Sequence, residues 1–266
     1  MRGKVEIHNL REIGAKLFSA LGKQRIRPFS TAPLKRGAGG DKSFPVDVEA
    51  EDIVINSLKS LNEPLSIISE ELGTLDLNGG GSRVIIDPID GSKNAISGIP
   101  LYCTSIGIAD GDTIGSITKG YVINLLTGDE FWAEKGKGAF FNGEPISCQK
   151  DDVFYFVSYE AQTPGRDIPR IMPVIAAARK ARCFGSLALD LCYVAYGSIS
   201  VFAGPVPSRI FDFAAGYLLV KEAGGIVTDI NGNDIEGGTA GLQDRIPLLA
   251  AGNRKLHEAA LKYLNG

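Results

Sequence analysis

The sequence is short of the residues on which several kinds of chemistry depend. Of its 266 residues only two are histidines, His8 and His257, one near each end. A histidine-based nucleophilic triad or a His-rich zinc site is therefore poorly supplied. The four cysteines, Cys103, Cys148, Cys183 and Cys192, stand far apart with no Cys-x-x-Cys pair. That spacing argues against a disulfide framework or a zinc ribbon, and for reduced thiols in a cytoplasmic protein. A basic excess is also missing. The formal net charge is -3, which argues against a nucleic-acid surface and against attachment to an anionic membrane. No apolar run reaches the roughly 18 residues of a membrane span, and Met1 to Leu10 carries charges without the apolar core of a secretory signal. The chemistry left to such a chain is that of carboxylates, hydroxyls and metal. An acidic protein that binds an anion must reverse its charge locally, and a metal ion does this.

Hydrophobic residues make up 44% of the chain, enough for one sizeable core or two smaller ones in contact. Val5, Leu10, Ile13, Leu17 and Leu21 fall at helical spacing and predict an amphipathic first helix. Pro28 to Gly40 is a Pro- and Gly-rich loop ending Arg36-Gly-Ala-Gly-Gly40. It lacks the Gly-Lys-Ser ending of a nucleotide P-loop, and reads equally as a mobile lid or a plain surface linker. Val48 to Leu61 predicts a second helix. Ser66–Ile68 and Arg83–Ile86 predict short strands, with a polar, glycine-rich turn over Asp76–Ser82 between them. From Thr104 to Phe141 strands alternate with glycine turns, and Asn142-Gly143 is a hairpin signal. Beyond that point strands alternate with helices: a strand at Val153–Ser158, a helix over Ile168–Lys180, a strand at Ala181–Phe184, a helix from Ser186 to Gly197 and a strand at Ser200–Ala203. A last helix opens at Asp212 and stops at Gly224-Gly225, and the strand Ile226–Asp229 follows. The change of pattern predicts an N-terminal α+β, metal-binding half over residues 1–145. A C-terminal α/β, substrate-side half is expected over residues 146–266.

Four segments carry well-placed acids: Asp47; Glu70-Glu71 after the apolar Ile67-Ile68; Asp87-Pro-Ile-Asp90-Gly-Ser92 after Val84-Ile-Ile86; and Asp212 after Ile210-Phe211. The third is the most informative. An apolar strand empties into two carboxylates three residues apart, with Pro88 stiffening the turn between them. Such a turn could aim both carboxylates and the Ile89 carbonyl at one hard cation. Gly91 and Ser92 would offer backbone N–H groups to a phosphate. Taken alone, each segment has a plainer reading: a capped turn for Asp87 and Asp90, a solvated strand end for Glu70-Glu71, a helix N-cap for Asp212.

Together the segments resemble the inositol monophosphatase family, within the larger group that includes fructose-1,6-bisphosphatases. Ile68-Ser-Glu-Glu71 resembles its first acidic motif, and Val84-Ile-Ile-Asp-Pro-Ile-Asp-Gly-Ser92 its central signature. Gly185-Ser186 and the following helix resemble its substrate-side segment. Asp212-Phe-Ala-Ala-Gly216 followed by Glu222-Ala-Gly-Gly225 resembles its C-terminal signature. The match runs from about Lys42 to Gly232. It implies an α/β (α+β) fold, a layered αβαβα sandwich of the sugar phosphatase type. The implied activity is Mg²⁺-dependent hydrolysis of a phosphate monoester on a small polyol or sugar, inositol-1-phosphate, fructose-1,6-bisphosphate or both.

The same resemblance implies two or three Mg²⁺ ions held by Glu70, Asp87, Asp90, Asp212 and the Ile89 carbonyl. Ser92 stands where the family commonly has threonine. Its hydroxyl is expected to work with Asp47 to position and deprotonate water, and Glu70 is the third catalytic group. Asp90, Gly91 and Ser92 are expected at the substrate, with Leu187 near the sugar and Arg182 at a second anionic group. Arg166, Arg170 and Arg209 are weaker candidates for the same role, set against the plainer reading of ordinary surface arginines. Pro205 stands where strict inositol-specific members carry an acid, so the pattern is most similar to archaeal-type dual-activity enzymes. The partners implied are a small anionic phosphate ester and a second copy of the chain in a homodimer. Two alternatives share the motifs or the fold: a 3′-phosphoadenosine 5′-phosphate phosphatase, and an inactive sugar-phosphate-binding regulator. The regulator should have lost one of Glu70, Asp87, Asp90, Ser92 and Asp212, and the chain keeps them all.

Overall fold

Two sheets carry the architecture of the computed structural model, which describes residues 4–22, 32–40 and 42–266. The part of the expected glycine-rich loop at residues 28–31 lies outside the described residues. Two short strands, β1 (Lys35–Arg36) and β2 (Lys42–Ser43), form an antiparallel pair. The larger sheet contains β3 (Leu65–Ser69), β4 (Gly73–Leu77), β5 (Ser82–Asp90), β6 (Cys103–Ala109), β7 (Ile117–Asn124), β8 (Glu130–Glu134), β9 (Gly138–Phe141) and β10 (Glu144–Ile146). Its order is β10-β9-β8-β7-β6-β5-β3-β4, antiparallel except where β3 runs beside β5. The second sheet contains β11 (Phe156–Tyr159), β12 (Lys180–Arg182), β13 (Val201–Arg209), β14 (Ile226–Asp229) and β15 (Arg245–Ala251), in the order β12-β11-β13-β15-β14.

Helices α1 (Ile7–Leu21) and α2 (Pro45–Ser60) cover the outer face of the larger sheet. Between the sheets lie α5 (Leu187–Ala195) and α6 (Ile210–Glu222), while α4 (Pro164–Ala177) and α7 (Arg254–Asn265) cover the far face of the smaller sheet. A short helix, α3 (Ser92–Ser97), follows β5. This is the layered αβαβα sandwich that the motifs imply. The sequence pattern explains the layers. Residues Phe213 to Val220 of α6 are buried on every side, as a helix between two sheets requires. Strand β5 is a continuous apolar run because both faces are covered: Ile85 joins the core around α6, while Val84 and Ile86 join the core beneath α1 and α2. Among the described residues no helix is long and apolar enough to cross a membrane.

The structure corrects several boundaries. Helix α2 starts at Pro45 and α4 at Pro164, because proline is tolerated in a first helical turn where its missing N–H has no partner to lose. Helix α6 starts at Ile210 rather than Asp212. The expected turn over Asp76–Ser82 begins inside β4, which pairs antiparallel with β3. Strand β15 and helix α7 lie in a C-terminal stretch to which the sequence pattern gave no element.

Helix α6 approaches the larger sheet where Gly107 of β6 and Gly120 of β7 are register partners. A Cβ on Gly107 would stand 2.9 Å from the Ala214 Cβ, and one on Gly120 would stand 2.7 Å from the Ala215 carbonyl oxygen. Neither backbone nor helix has room to yield. Gly120→Val should therefore destabilise the fold by about 3 kcal/mol, or roughly 8 °C in melting temperature. Gly165→Ala on α4, where a Cβ meets open space, should change stability by less than about 1 kcal/mol. Calorimetric melting of the two variants checks the contrast.

Candidate active site

The acids converge at the C-terminal end of β5. Its pairing with β6 is regular to Asp87↔Ser105 and then shifts, resuming at Asp90↔Cys103. This irregularity presents two carboxylates from one strand to one cavity. The Thr104 hydroxyl donates to the Pro88 carbonyl at 2.7 Å and pins the turn. Gly91 then adopts φ 92°, and a side chain there would stand 2.9 Å from the Leu101 carbonyl oxygen, so only glycine fits. Asp90 is buried, and its Oδ2 accepts from the Ser186 hydroxyl at 2.6 Å and the Ala188 N–H at 2.7 Å. The start of α5 thus fixes the carboxylate, and the same turn brings Leu187 to the cavity wall.

Asp47 sits in the first turn of α2, where its Oδ2 accepts from the Phe44 N–H at 2.6 Å. Its Oδ1 lies 2.8 Å from the Ser92 hydroxyl, which is also 2.9 Å from the Ile89 carbonyl. A hydroxyl has one proton, so these two acceptors share it. Glu70 follows β3, and its N–H donates to the Ile86 carbonyl at 3.3 Å. Its own carbonyl accepts from Gly39 N–H at 2.7 Å, which lays the Gly37–Gly40 backbone over the site. Asp212 occupies the first turn of α6 and accepts from the Arg209 N–H at 2.8 Å, closing a cap on the helix start.

One cavity of about 800 Å³ is lined among others by Glu70, Asp87, Ile89, Asp90, Gly91, Ser92, Leu187 and Asp212, while Asp47 lies behind its wall and reaches it through Ser92. Arg182 is not brought to it. That residue ends the edge strand β12, is exposed, and lies with its guanidinium 5.0 Å from the centre of the Phe156 ring. Arg166 at the start of α4 and Arg245 of β15 line the cavity in its place.

One functional candidate, Glu160, escaped the sequence reading, and another, Arg209, was ranked low in it. Arg209 is no surface arginine: its side chain is 13% exposed, with Nη2 2.9 Å from Glu70 Oε1 and 3.3 Å from Asp212 Oδ1. Glu160 also lines the cavity. It follows the apolar strand β11 as Asp87 follows Val84-Ile85-Ile86, and that shared pattern was the available signal.

The profile of the inositol monophosphatase family matches residues 4–266. The chain belongs to that family. A fructose-1,6-bisphosphatase/inositol-1-monophosphatase of Methanothermobacter thermautotrophicus is 38% identical over 242 residues, covering 87% of this chain and 86% of that one. The enzyme of the same description from Archaeoglobus fulgidus is 33% identical, covering 96% of each chain. A bifunctional NADP phosphatase/NAD kinase of Methanococcus maripaludis is 34% identical over 77% of this chain, which spans 40% of that protein. Among solved structures, an inositol monophosphatase–fructose 1,6-bisphosphatase superposes with a TM-score of 0.84 at 29% identity, covering 98% of this chain and all of that one.

For a member of the inositol monophosphatase family, the fit of the site to a divalent cation is a question of donors. The buried Asp87 Oδ1 has no hydrogen-bond partner among the described residues, although a buried carboxylate oxygen ordinarily has one. The other side chains are oxygen donors of the kind hard cations take. As they stand, however, no three acidic, histidine or cysteine side chains among the described residues are arranged to hold a metal ion. The Arg209 guanidinium already engages Glu70 and Asp212. The donor set suits Mg²⁺, and the arginine competes for part of it.

Burial, with like charges nearby as the lesser cause, shifts the acids upward. Burial pushes the Asp47 carboxyl to about 7 against the lowering pull of the Phe44 N–H and Ser92 bonds. Burial, aided by the charges of Asp90 and Asp212, raises Glu160 to about 7. Burial first, then the charge of Glu70, holds Asp87 well above the carboxylate range. Each group binds its proton more tightly folded than unfolded, so stability rises as pH falls from the folded values near 7 toward the unfolded values near 4. The metal-free protein should melt roughly 5 °C higher at about pH 5.5 than at about pH 8. Calorimetry in chelator checks this, and a melting temperature that is flat or rises with pH over that range would refute it.

Proposed function

We propose that this protein is a magnesium-dependent phosphatase that hydrolyses a phosphate monoester of a small polyol or sugar, inositol-1-phosphate, fructose-1,6-bisphosphate or both. The supporting observation is the single cavity that gathers Glu70, Asp87, Asp90 and Asp212 beside Ser92, whose hydroxyl is hydrogen-bonded to Asp47. Two or three Mg²⁺ ions, when bound, would neutralise the phosphate dianion and lower the pKa of the attacking water. Glu70, Asp87, Asp90, Asp212 and the Ile89 carbonyl would hold them.

The chain's own residues then divide the remaining work. Asp47, ionised, accepts the Ser92 proton, which leaves the Ser92 oxygen to accept from water and orient it. Proton transfer at this pair is general-base catalysis by a positioned carboxylate. Gly91 and Ser92 present backbone N–H groups to phosphate oxygens, and Leu187 walls the substrate side against bulk water. Arg166 and Arg245 replace Arg182 as the groups that receive a second anionic substituent, since they line the cavity and Arg182 does not.

The relatives named for fructose-1,6-bisphosphatase/inositol-1-monophosphatase activity support this substrate class. A phosphate on a nucleotide is the second reading, supported by the NADP phosphatase/NAD kinase relative. The formal charge of -3 and four free cysteines support a cytoplasmic protein that engages neither nucleic acid nor membrane. The homodimer is carried over from the family resemblance.

Phosphate release from inositol-1-phosphate, fructose-1,6-bisphosphate and 3′-phosphoadenosine 5′-phosphate, with and without Mg²⁺, tests the assignment. Turnover of a sugar or polyol phosphate that needs Mg²⁺ is expected. Preference for the adenosine bisphosphate would move the assignment to nucleotides, and no turnover of any would overturn the phosphatase reading. Asp90→Asn should lower turnover about a thousandfold or more, since groups that act as a unit fail together. Ser92→Ala should lower kcat roughly a hundredfold with KM little changed. Arg166→Ala should raise KM for fructose-1,6-bisphosphate about tenfold more than for inositol-1-phosphate, the loss of one charge-assisted contact. Equal rises in the two values would remove Arg166 from the second-anion role.

A further inference from the structure

Arg209 stands where a positive charge is most needed and a second cation would have to enter. Its Nη2 is 2.9 Å from Glu70 Oε1 and 3.3 Å from Asp212 Oδ1. Its Nη1 is 3.4 Å from the Gly39 carbonyl. The guanidinium lies over the Phe211 ring, 4.6 Å from its centre. The carboxylates it touches are 9% and 14% exposed, so water screens the pairs poorly.

The two acids in this clamp are two of those proposed to hold Mg²⁺. We propose that Arg209 is the resident counter-cation of the acidic site, a guanidinium that occupies Glu70 and Asp212 until a divalent ion takes them. This rests on the metal reading given above. Three observations carry it. The acids as they stand are not arranged to hold an ion among the described residues, and the guanidinium engages two of them. Asp212 keeps its place without the side chain, because its Oδ2 is held by the backbone N–H of residue 209. The guanidinium also has two partners besides the acids, the Gly39 carbonyl and the Phe211 face. Displacement is then a swing of one side chain within the cavity, and no charge is stranded without a partner. Metal affinity in the wild type is reduced by the fraction of molecules held in the clamped state.

The test is Mg²⁺ binding to the metal-free full-length protein, measured by titration calorimetry for the wild type, Arg209→Met and Arg209→Lys. Methionine keeps much of the side chain's apolar stem and removes the charge. Arg209→Met should bind Mg²⁺ about tenfold more tightly than the wild type, the expected release from a clamped state that holds roughly nine molecules in ten. Its metal-free melting temperature should fall, because Glu70 and Asp212 lose their counter-charge. Arg209→Lys, which keeps the charge but loses the fork, should fall between the wild type and Arg209→Met in both. A residue with a purely structural role would weaken Mg²⁺ binding when removed. Unchanged or weaker binding by Arg209→Met, with the wild type binding normally, overturns the clamp and leaves the metal site standing. A wild type that binds no Mg²⁺ overturns both. Should the methionine variant fold poorly, the Arg209 Nε–H signal of ¹⁵N-arginine-labelled wild type supplies the second measurement. That signal should shift as Mg²⁺ saturates the protein, and an Nε–H signal indifferent to a bound ion refutes the displacement.

Discussion

Four largely buried carboxylates that repel one another are held around one cavity, and most of the surrounding structure can be understood as what prevents them from separating. Left free, such groups would turn toward water or take up protons. Here each is tied by a backbone feature that does not depend on the others. The Ala188 N–H and Ser186 hydroxyl hold Asp90. The Arg209 N–H holds Asp212. Glu70 is set by its backbone bonds to Ile86 and Gly39, and Asp87 by the strand that leads to it. The acids therefore point inward through hydrogen bonds or strand register fixed before any charge is considered. The cost is the rise in proton affinity that burial and like charge impose on Asp87 and Asp90, which a cation entering the cavity would reverse.

That arrangement explains why the site lies between the two sheets. Strand β5 ends there and contributes Asp87 and Asp90; β3 contributes Glu70; α5 and α6, packed between the sheets, bring Leu187 and Asp212; and β11 delivers Glu160 from the smaller sheet. The rim carries the opposite sign, with Arg36, Lys42, Lys93, Arg166 and Arg245 around the acidic floor. A protein of net negative charge can thus draw in an anionic ester through local potential, since charges lining a cleft focus the field there.

What was legible in the sequence was whatever depended on local pattern. The apolar strand running into Asp87-Pro-Ile-Asp90 announced the site because a buried strand that empties into paired acids is costly to fold unless a cation or a set of donors meets them there. The helix patterns of α1 and α2 and the glycine stop after α6 were readable because they too depend on spacing along the chain. Residues 254–265 escaped although Asn253 caps α7 by accepting from the Leu256 N–H at 3.0 Å; the helix is polar on average and covers the sheet with one face only. Arg182 was misplaced because proximity in sequence to Gly185-Ser186 says nothing about which way an edge strand turns its side chain. Arg209 was ranked low, and Glu160 passed over despite the strand before it, for a related reason. Their meaning lies in interactions with residues distant in the chain, Glu70 for the one and Asp90 for the other, which no periodicity records.

The position of Arg209 is itself informative. A residue three before Asp212 must offer its backbone N–H to that carboxylate for the cap on α6 to close, and almost any residue can do so. The cap therefore places no demand for a guanidinium. What a guanidinium adds is charge directed along the cavity floor, with geometry that reaches two carboxylates and a carbonyl at once, which a lysine's single ammonium matches poorly. The side chain is thus explained by the acids and the Phe211 ring that it faces, and not by the cap, which needs only its backbone. A site that keeps its own cation can fold with Glu70 and Asp212 in place. The helix cap, the strand irregularity and the arginine together allow the acids to be assembled before the ion that they suit arrives.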